Sequence, residues 1–320
     1  MRRITIAFLT IAWLFAAASI APAREQHASD VHHDGLAGTF VEPRGTAPHK
    51  GVLIIAGSGP TDRNGNSKLG VSAGYLEQLS DALAASGIAS LRYDKRGVGG
   101  SRALVTSEAS LRFSDFVGDA EGWATWLGTQ SGIACVFLLG HSEGGLVGTL
   151  AAEKIHPAGL ALISSPCGSM ATVLTRQLKT LPMTGALRAD ALTTLKQIEN
   201  GKSVANVDSR LHNLFRPSVQ PFLISMIDID PATELAKLNL PTLIVSGGKD
   251  LQVAKSDYDA LTAVRPDATA VRVPDMNHVL KDISGGREAN LAAYKNPKLP
   301  LSPELAKAVT DFITATPCPK

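Results

Sequence analysis

The 320-residue sequence is poor in cysteine, in aromatic side chains and in net charge. Only 5% of its residues are aromatic, and 31 basic residues nearly balance 29 acidic ones, which leaves a formal net charge of +2. Because no long basic run is present, the composition gives no support for nucleic-acid binding. Only one stretch, at the N-terminus, approaches the length of a membrane span, so we expect no stable span once that stretch is removed.

The three cysteines, Cys135, Cys167 and Cys318, cannot all pair within one chain. Cys135 lies in an apolar run, and we expect it to be a small buried hydrophobic residue. A disulfide between Cys167 and Cys318 is compatible with an exported protein, but no pattern favours it directly. The pairing of these two cysteines therefore stays open.

The N-terminal apolar stretch has the organisation of a secretory signal. Arg2 and Arg3 make the start basic, residues 4–18 are mostly apolar, and Ala21 and Ala23 are small enough for a cleavage site. This pattern predicts a signal peptide over residues 1–23 and an exported protein, either periplasmic or secreted. An uncleaved membrane anchor is the alternative, but the apolar run is short for one.

The polar segment that follows, residues 24–34, predicts a flexible tail. It contains His27, His32 and His33, and a metal site there is the alternative. We expect no metal, because no flanking hydrophobic pattern would hold these ligands in place.

Beyond the tail, strand-length apolar runs alternate with helical periodicity. The buried strands are expected at 51–56, 88–93, 133–139, 159–163, 242–246 and 268–273. Such alternation predicts a mostly parallel central sheet flanked by helices. Between 168 and 239 the alternation stops, since this interval contains helical segments and prolines but no strong strand. We therefore expect residues 35–167 and 240–320 to form one α/β core, with 168–239 inserted as a mainly helical cap.

A glycine-bounded serine stands between the strand 133–139 and the helix that follows it. Gly140, Ser142 and Gly144 form the pattern Gly-x-Ser-x-Gly, whose glycines permit a sharp backbone reversal. At a strand-to-helix turn this pattern typically holds a nucleophilic serine above the sheet. The alternative is a structural turn with an idle serine.

A serine hydroxyl needs a base to accept its proton and a third group to orient that base. Asp250 follows the strand 242–246, and His278 follows the strand 268–273. The order Ser142, Asp250, His278 is typical of one kind of catalytic triad. Asp250 could instead serve only as a helix cap, with Asp275 or Asp282 orienting the histidine. His141, beside the serine, is assigned a packing or positioning role rather than that of the base.

Negative charge that develops on a carbonyl oxygen requires backbone N–H donors. We expect one from Glu143, directly after the serine, and one from Ser58 in the glycine-rich loop after the strand 51–56, with Gly59 as second choice for the latter. A local ion pair between Asp62 and Arg63 is expected to shape that loop.

These motifs resemble the α/β-hydrolase superfamily, and more narrowly bacterial serine esterases that carry the loop Gly-Ser-Gly-Pro-Thr-Asp-Arg-Asn-Gly-Asn, here residues 57–66. The resemblance extends over nearly all of the mature chain, and its other matching segments are 93–101, 140–145, 214–221, 248–253 and 277–278. It implies an α/β-hydrolase fold, a small-molecule ester as substrate, hydrolysis through an acyl-enzyme, and no cofactor. A His-Gly pair often stands in lipases where this chain has Gly57 and Ser58.

Three other functions remain open on the same residues. A serine triad cleaves esters, thioesters and amides alike, so an aminopeptidase or a thioesterase is an alternative to an esterase. From a different class, the chain could be a catalytically silent, exported ligand-binding protein that uses the cap as a cleft.

Overall fold

An eight-stranded sheet forms the centre of the computed structural model, which describes residues 26–45 and 47–319. The predicted signal peptide lies outside the described residues. In chain order the strands are β1 (Gln26–His33), β2 (Leu36–Pro43), β3 (His49–Ile55), β4 (Asn66–Ser67), β5 (Val71–Ser72), β6 (Ala89–Tyr93), β7 (Ile133–His141), β8 (Gly159–Ile163), β9 (Thr242–Gly247) and β10 (Thr269–Val273). The short strands β4 and β5 pair with each other in the loop after β3.

The strand order in the large sheet is β1-β2-β6-β3-β7-β8-β9-β10. From β6 to β10 all neighbours are parallel, whereas β1 and β2 are antiparallel. Because the parallel strands point the same way, the loops that follow β3, β7, β9 and β10 open at one edge of the sheet. All the predicted catalytic residues lie in or beside these loops.

Eleven helices lie in the described part of the chain. They are α1 (Tyr75–Ala85), α2 (Phe113–Gly128), α3 (Glu143–Ile155), α4 (Met170–Thr180), α5 (Gly185–Glu199), α6 (His212–Phe215), α7 (Gln220–Met226), α8 (Pro231–Ala236), α9 (Lys255–Val264), α10 (Arg287–Ala293) and α11 (Pro303–Ala315). Short 3₁₀ turns occupy Gly99–Leu104, Glu108–Ser110 and Ser209–Leu211.

The alternating side chains of β3 explain the two layers of helices. Leu53 and Ile55 face the cluster that contains the apolar sides of α2 and α3. Val52 and Ile54 point to the opposite face and pack with α1 and α11. A strand buried on both faces needs a continuous apolar run, and this is the pattern that predicted β3, β7 and β8.

The inserted helices have a buried cluster of their own. Leu178, Ile198 and Phe215, from α4, α5 and α6, are fully buried in it. The cluster joins the core through α7, where the Phe222 ring lies 5.1 Å from the Phe116 ring. Helix α8 also falls within the predicted cap, but Leu235 on it belongs to the main core cluster.

The prediction that residues 24–34 form a flexible tail is wrong for the part that the structure describes. Residues 26–33 are the edge strand β1, paired antiparallel with all of β2. Asp34 and Gly35 both have positive φ, 49° and 79°, and make the tight turn of a hairpin. Because most β1 side chains are exposed, the strand has no hydrophobic alternation to reveal it. Among the described residues no group of three or more His, Cys, Asp or Glu is placed to hold a metal ion.

Cys135 forms a disulfide with Cys318, and Cys167 is a buried free thiol. The expectation that Cys135 is simply a buried hydrophobic residue is therefore wrong, as is the alternative pairing of Cys167 with Cys318. Cys135 lies near the start of β7, where the strand is only half-buried. Its neighbour on β3, Lys50, donates hydrogen bonds to carbonyls at the end of α11, including that of Thr316 at 2.6 Å. These bonds bring the C-terminal segment beside Cys135.

Candidate active site

Ser142 occupies a strained turn between β7 and α3. Its φ is 54° and its ψ is −124°, a conformation that L-residues rarely adopt. The flanking glycines have no room for a side chain, because a Cβ on Gly140 would lie 2.2 Å from the Gly144 carbonyl oxygen and one on Gly144 would lie 2.3 Å from that of Ile55. The turn therefore requires glycine on both sides, and it fixes the position of the Ser142 hydroxyl at the end of β7.

His278 and Asp250 are hydrogen-bonded side chains from two neighbouring strand ends. The Nδ1 atom of His278 lies 2.8 Å from the Oδ2 atom of Asp250, and both side chains are buried. The other carboxylate oxygen, Oδ1, accepts the N–H groups of Gln252 at 2.8 Å and Val253 at 2.9 Å. Burial alone would raise the pKa of Asp250, but the charge of His278 and these hydrogen bonds outweigh it and lower that pKa. Asp250 is thus held as a carboxylate against His278.

Asp275, the alternative partner for the histidine, is directed elsewhere. Its carboxylate is largely exposed and lies 3.1 Å from the Lys249 ammonium. The hydrogen bonds that Asp250 accepts from Gln252 and Val253 lie in the turn before α9. The N-cap of α9 is Ala254, so Asp250 does not cap that helix.

The loop that carries His278 is held by the buried side-chain amide of Asn277, for which the sequence predicted no role. The side-chain oxygen of Asn277 accepts the N–H of Lys281 at 3.0 Å, and its amide donates to Asn290 at 3.1 Å. Leu280, with φ of 62°, completes the turn. The only signal in the sequence was that Asn277 belongs to a segment shared with the resembling esterases.

His141 links the serine turn to the histidine loop. Its Nε2 atom lies 2.8 Å from the backbone oxygen of His278, and the two imidazole rings are 4.8 Å apart. Because a carbonyl oxygen only accepts, Nε2 must carry the proton, which leaves Nδ1 to accept from the Tyr75 hydroxyl at 3.3 Å. Burial, with a contribution from His278, lowers the pKa of His141 to about 3. A neutral imidazole that is hydrogen-bonded through both nitrogens is not available as a base. This agrees with the packing or positioning role predicted for His141.

The glycine-rich loop after β3 packs against Ser142. A Cβ on Gly57 would lie 3.0 Å from that of Ser142 and 3.1 Å from the Nδ1 atom of His141. Across residues 26–45 and 47–319, the N–H groups of Ser58 and Glu143 donate to no protein acceptor. For Glu143 this follows from its position in the first turn of α3. The two predicted oxyanion donors are therefore both free. Glu143 directly follows Ser142, and Ser58 directly follows Gly57, which packs against Ser142.

Lys95 and the side chain of Glu143 are two buried charged groups at this loop for which the sequence predicted no role. Lys95 is 4% exposed, its ammonium donates to the backbone oxygen of Gly57, and it lies 5.4 Å above the Phe116 ring. Burial lowers the pKa of Lys95, and the nearby Glu143 partly opposes this effect. Burial likewise raises the pKa of Glu143, opposed by Lys95. No local sequence pattern indicates these contacts, because Lys95 follows a different strand from either partner.

The expected ion pair between Asp62 and Arg63 is wrong. Arg63 instead lies 2.9 Å from the buried Asp94 and 3.1 Å from Asp30 on β1. Asp62 accepts the N–H groups of Asn64 at 2.9 Å and Asn66 at 2.8 Å, which closes the loop on itself. The side chains of adjacent residues diverge here, so Arg63 ties the loop to the turn after β6.

The segment 214–221 fastens the cap to the core. Arg216 donates to Glu108 at 2.8 Å, and Ser218 donates to the same carboxylate. Gln220 is fully buried, and its amide bonds both the N–H and the C=O of Val204 and the C=O of Phe215. The polar residues of this motif thus have structural partners in the cap and at the Glu108 turn.

Residues 68–281 match the family described as serine aminopeptidase, S33. The chain belongs to this family. Ser142, Asp250 and His278 all lie within the matched range, whereas Ser58 precedes it. The family and the sheet order together confirm the predicted fold class, an α/β-hydrolase fold with a mostly parallel sheet flanked by helices.

Esterase EstD of Thermotoga maritima is 27% identical over 271 residues, which are 83% of this chain and 62% of that protein. The chain therefore spans less than two thirds of the length of this relative. Two solved structures share the fold: Est1E from Butyrivibrio proteoclasticus with bound ferulic acid, and proline iminopeptidase from Mycobacterium smegmatis. The first has a TM-score of 0.59 at 18% identity, covering 90% of this chain and 99% of Est1E. The second has a TM-score of 0.56 at 17% identity, covering 90% and 98%.

Proposed function

We propose that the protein is a serine esterase that hydrolyses small carboxylic esters through an acyl-enzyme. The observation that carries the proposal is the buried Asp250–His278 pair, 2.8 Å apart, joined through the His141 ring to the strained turn that bears Ser142. The esterase name of the Thermotoga maritima relative supports the same activity.

The proposed reaction starts at the Ser142 hydroxyl. Because Nδ1 of His278 is bound to Asp250, the Nε2 atom is the one left to accept the serine proton. The serine oxygen attacks the ester carbonyl, and the charge that develops is met by the N–H groups of Ser58 and Glu143. His278 then protonates the departing alcohol. Water repeats the cycle on the acyl-enzyme, with His278 again as base, and releases the acid.

A second candidate is an aminopeptidase, which the description of the family favours. Recognition of a free α-amine calls for an acidic or carbonyl-lined pocket near the nucleophile. The acidic side chain adjacent to Ser142 is that of Glu143, and its charge interacts with Lys95. This compensation supports an ester substrate over an amino-terminal peptide. A thioester substrate needs no such acidic group, so acyl thioesters are included among the substrates tested.

We also propose that the protein acts outside the cytoplasm, in the periplasm or after secretion. The predicted signal peptide supports export, and so does the disulfide between Cys135 and Cys318, since such bonds persist mainly in oxidising compartments. Within the described residues no helix is long and apolar enough to cross a membrane. Subcellular fractionation of the full-length chain tests this, and a cytoplasmic, unprocessed protein would contradict it.

The decisive experiment compares the mature protein with S142A and with the matched control S131A. Ser131 is an exposed serine near the opposite end of β7. On p-nitrophenyl acyl esters S142A should lose at least about 10³-fold in kcat, whereas S131A should not change. Fluorophosphonate should label the wild type and S131A but not S142A. Amino-acid anilides and acyl thioesters, run in parallel, decide among the three substrate classes. An unlabelled wild type would instead indicate a silent binding protein.

A further inference from the structure

The ammonium of Lys95 is buried beside the predicted oxyanion loop, with a backbone oxygen as its hydrogen-bond acceptor. It comes from the turn after β6 and reaches the Gly57 carbonyl, 38 residues away in the sequence. A buried lysine charge is costly unless its environment compensates it. Here the compensation comes from the Gly57 oxygen, the face of the Phe116 ring and the Glu143 carboxyl group.

The acceptor matters because it belongs to the same peptide unit as a predicted oxyanion donor. The unit that contains the Gly57 carbonyl also contains the N–H of Ser58. This peptide bond is trans, so its C=O and N–H point in opposite directions within one plane. Whatever holds the Gly57 oxygen therefore also sets the direction of the Ser58 N–H.

We propose that Lys95 is a positioning residue that, by holding the Gly57 carbonyl, directs the Ser58 N–H at the carbonyl oxygen of the substrate. The inference rests on the proposed function. Gly57 contacts Ser142 closely, so a rotation of this one peptide would change the donor geometry next to the nucleophile. The following residues cannot fix the plane in the same way, because Ser58, Gly59 and Pro60 are exposed and Gly59 has a φ of 72°.

The second predicted donor is linked to the same ammonium. Glu143 supplies its N–H from the first turn of α3, and its buried carboxyl group interacts with Lys95. A cation bound to the Gly57 oxygen also polarises that peptide, which makes the Ser58 N–H a stronger donor. Lys95 thus acts on the Ser58 donor through the Gly57 carbonyl and interacts by charge with the Glu143 side chain, without touching the substrate itself.

A purely structural lysine and a positioning lysine differ in what they change. Loss of a structural contact lowers the fraction of folded protein and leaves each folded molecule with its normal kinetics. Loss of the positioning contact weakens transition-state stabilisation, so it lowers kcat more than it changes KM. Affinity for an inhibitor that forms an oxyanion should fall in parallel.

The test uses the mature protein and its K95M and K95R variants. Methionine keeps the length and removes the donor, whereas arginine keeps a charged donor that can reach a carbonyl. Active sites are titrated with fluorophosphonate, taken to complete labelling, so that kcat refers to folded molecules only. The readouts are kcat and KM for a p-nitrophenyl ester, and the inhibition constants of a trifluoromethyl ketone and of the matching methyl ketone.

Per active site, K95M should lose about 10- to 100-fold in kcat, and its KM should stay within about threefold of the wild type. This loss in kcat is smaller than the about 10²- to 10³-fold loss that is typical when a whole oxyanion donor is deleted. Trifluoromethyl ketone binding should weaken by a similar factor, methyl ketone binding should not, and K95R should recover most of the loss. Unchanged kcat and unchanged trifluoromethyl ketone affinity in K95M would overturn the inference. If K95M yields no folded protein, K95Q undergoes the same measurements under the same criteria. A wild type that neither labels nor hydrolyses esters would refute the proposed function instead.

Discussion

Replacement of Asp250 by asparagine tests the proposed triad most directly, because the surrounding contacts dictate how the new amide must sit. The Oδ1 atom of Asp250 accepts the N–H groups of Gln252 and Val253, which can only donate. The asparagine must therefore keep its oxygen at that position. Its NH₂ group then occupies the place of Oδ2, facing His278.

An amide donor at that place reverses the tautomer of the imidazole. His278 Nδ1, now 2.8 Å from a carboxylate oxygen, would have to accept a hydrogen bond and lose its proton. The proton would move to Nε2, which could then no longer take one from Ser142. A triad blocked in this way typically loses about 10⁴-fold in kcat, or about 5 kcal/mol of transition-state stabilisation.

The assay is steady-state hydrolysis of a p-nitrophenyl ester by D250N, with D275N as the matched control. Asp275 lies three residues before His278 in the sequence, but it is exposed and pairs with Lys249. We expect D275N to keep nearly full activity. If D250N retained more than about a tenth of wild-type kcat, or if D275N lost as much as D250N, the assignment of Asp250 would be refuted.

Four further predictions concern His141, Lys281 and the cysteines. H141N should lower kcat but keep the acid limb of the kcat/KM pH profile, because a His141 pKa of about 3 leaves that ring neutral throughout; loss of the limb would make His141 the base. Burial lowers the pKa of Lys281 to about 8 in the folded protein, whereas its pKa in the unfolded chain is about 10.4. Between these two pH values the Lys281 amine is mostly protonated in the unfolded chain and mostly neutral in the folded protein. The unfolding free energy relative to K281M should therefore rise with pH across that window, by at most about 1.4 kcal/mol per unit, and denaturant titrations at pH 7, 9 and 10 measure it. A thiol reagent should detect no fast-reacting thiol in the native protein, one after unfolding and three after reduction, since Cys167 is buried and burial raises its pKa to about 11; C318S should lose about 2–5 kcal/mol of stability in chemical denaturation.

The parts of the fold that were predictable are those in which burial imposes a pattern. Strands β3, β7, β8 and β9 are buried on both faces and appear in the sequence as continuous apolar runs. Strand β1 was missed because an exposed edge strand is held by backbone hydrogen bonds, which any sequence can make. The Asp34–Gly35 turn was the available signal, since Asp-Gly is a strong hairpin sequence.

The candidate site divides in the same way. Ser142, Asp250 and His278 stand at strand ends, so chain order alone suggested that they meet. The disulfide and the contacts of Lys95 join segments far apart in the chain, and nothing local to Cys135 or Lys95 indicates a partner. The first residues of β7 are partly exposed and its later residues are buried. The apolar run does not show at which residue this change occurs, so it does not indicate whether Cys135 faces the core or the C-terminal segment.

Asp94 and Lys95 join the loop 93–101 to the loop 57–66. These two consecutive residues hold two points of the same loop. Lys95 donates to the Gly57 oxygen, and the Asp94 carboxylate accepts from both the backbone N–H and the guanidinium of Arg63. Because β6 and β3 are hydrogen-bonded neighbours, the turn after β6 is rigidly placed relative to the end of β3. A loop held at Gly57 and at Arg63 by one turn keeps the N–H groups between them in a fixed direction although Ser58 and Gly59 are exposed. Preorganisation of this kind is what stabilisation of an oxyanion requires, since donors already in place need no reorganisation when the charge develops.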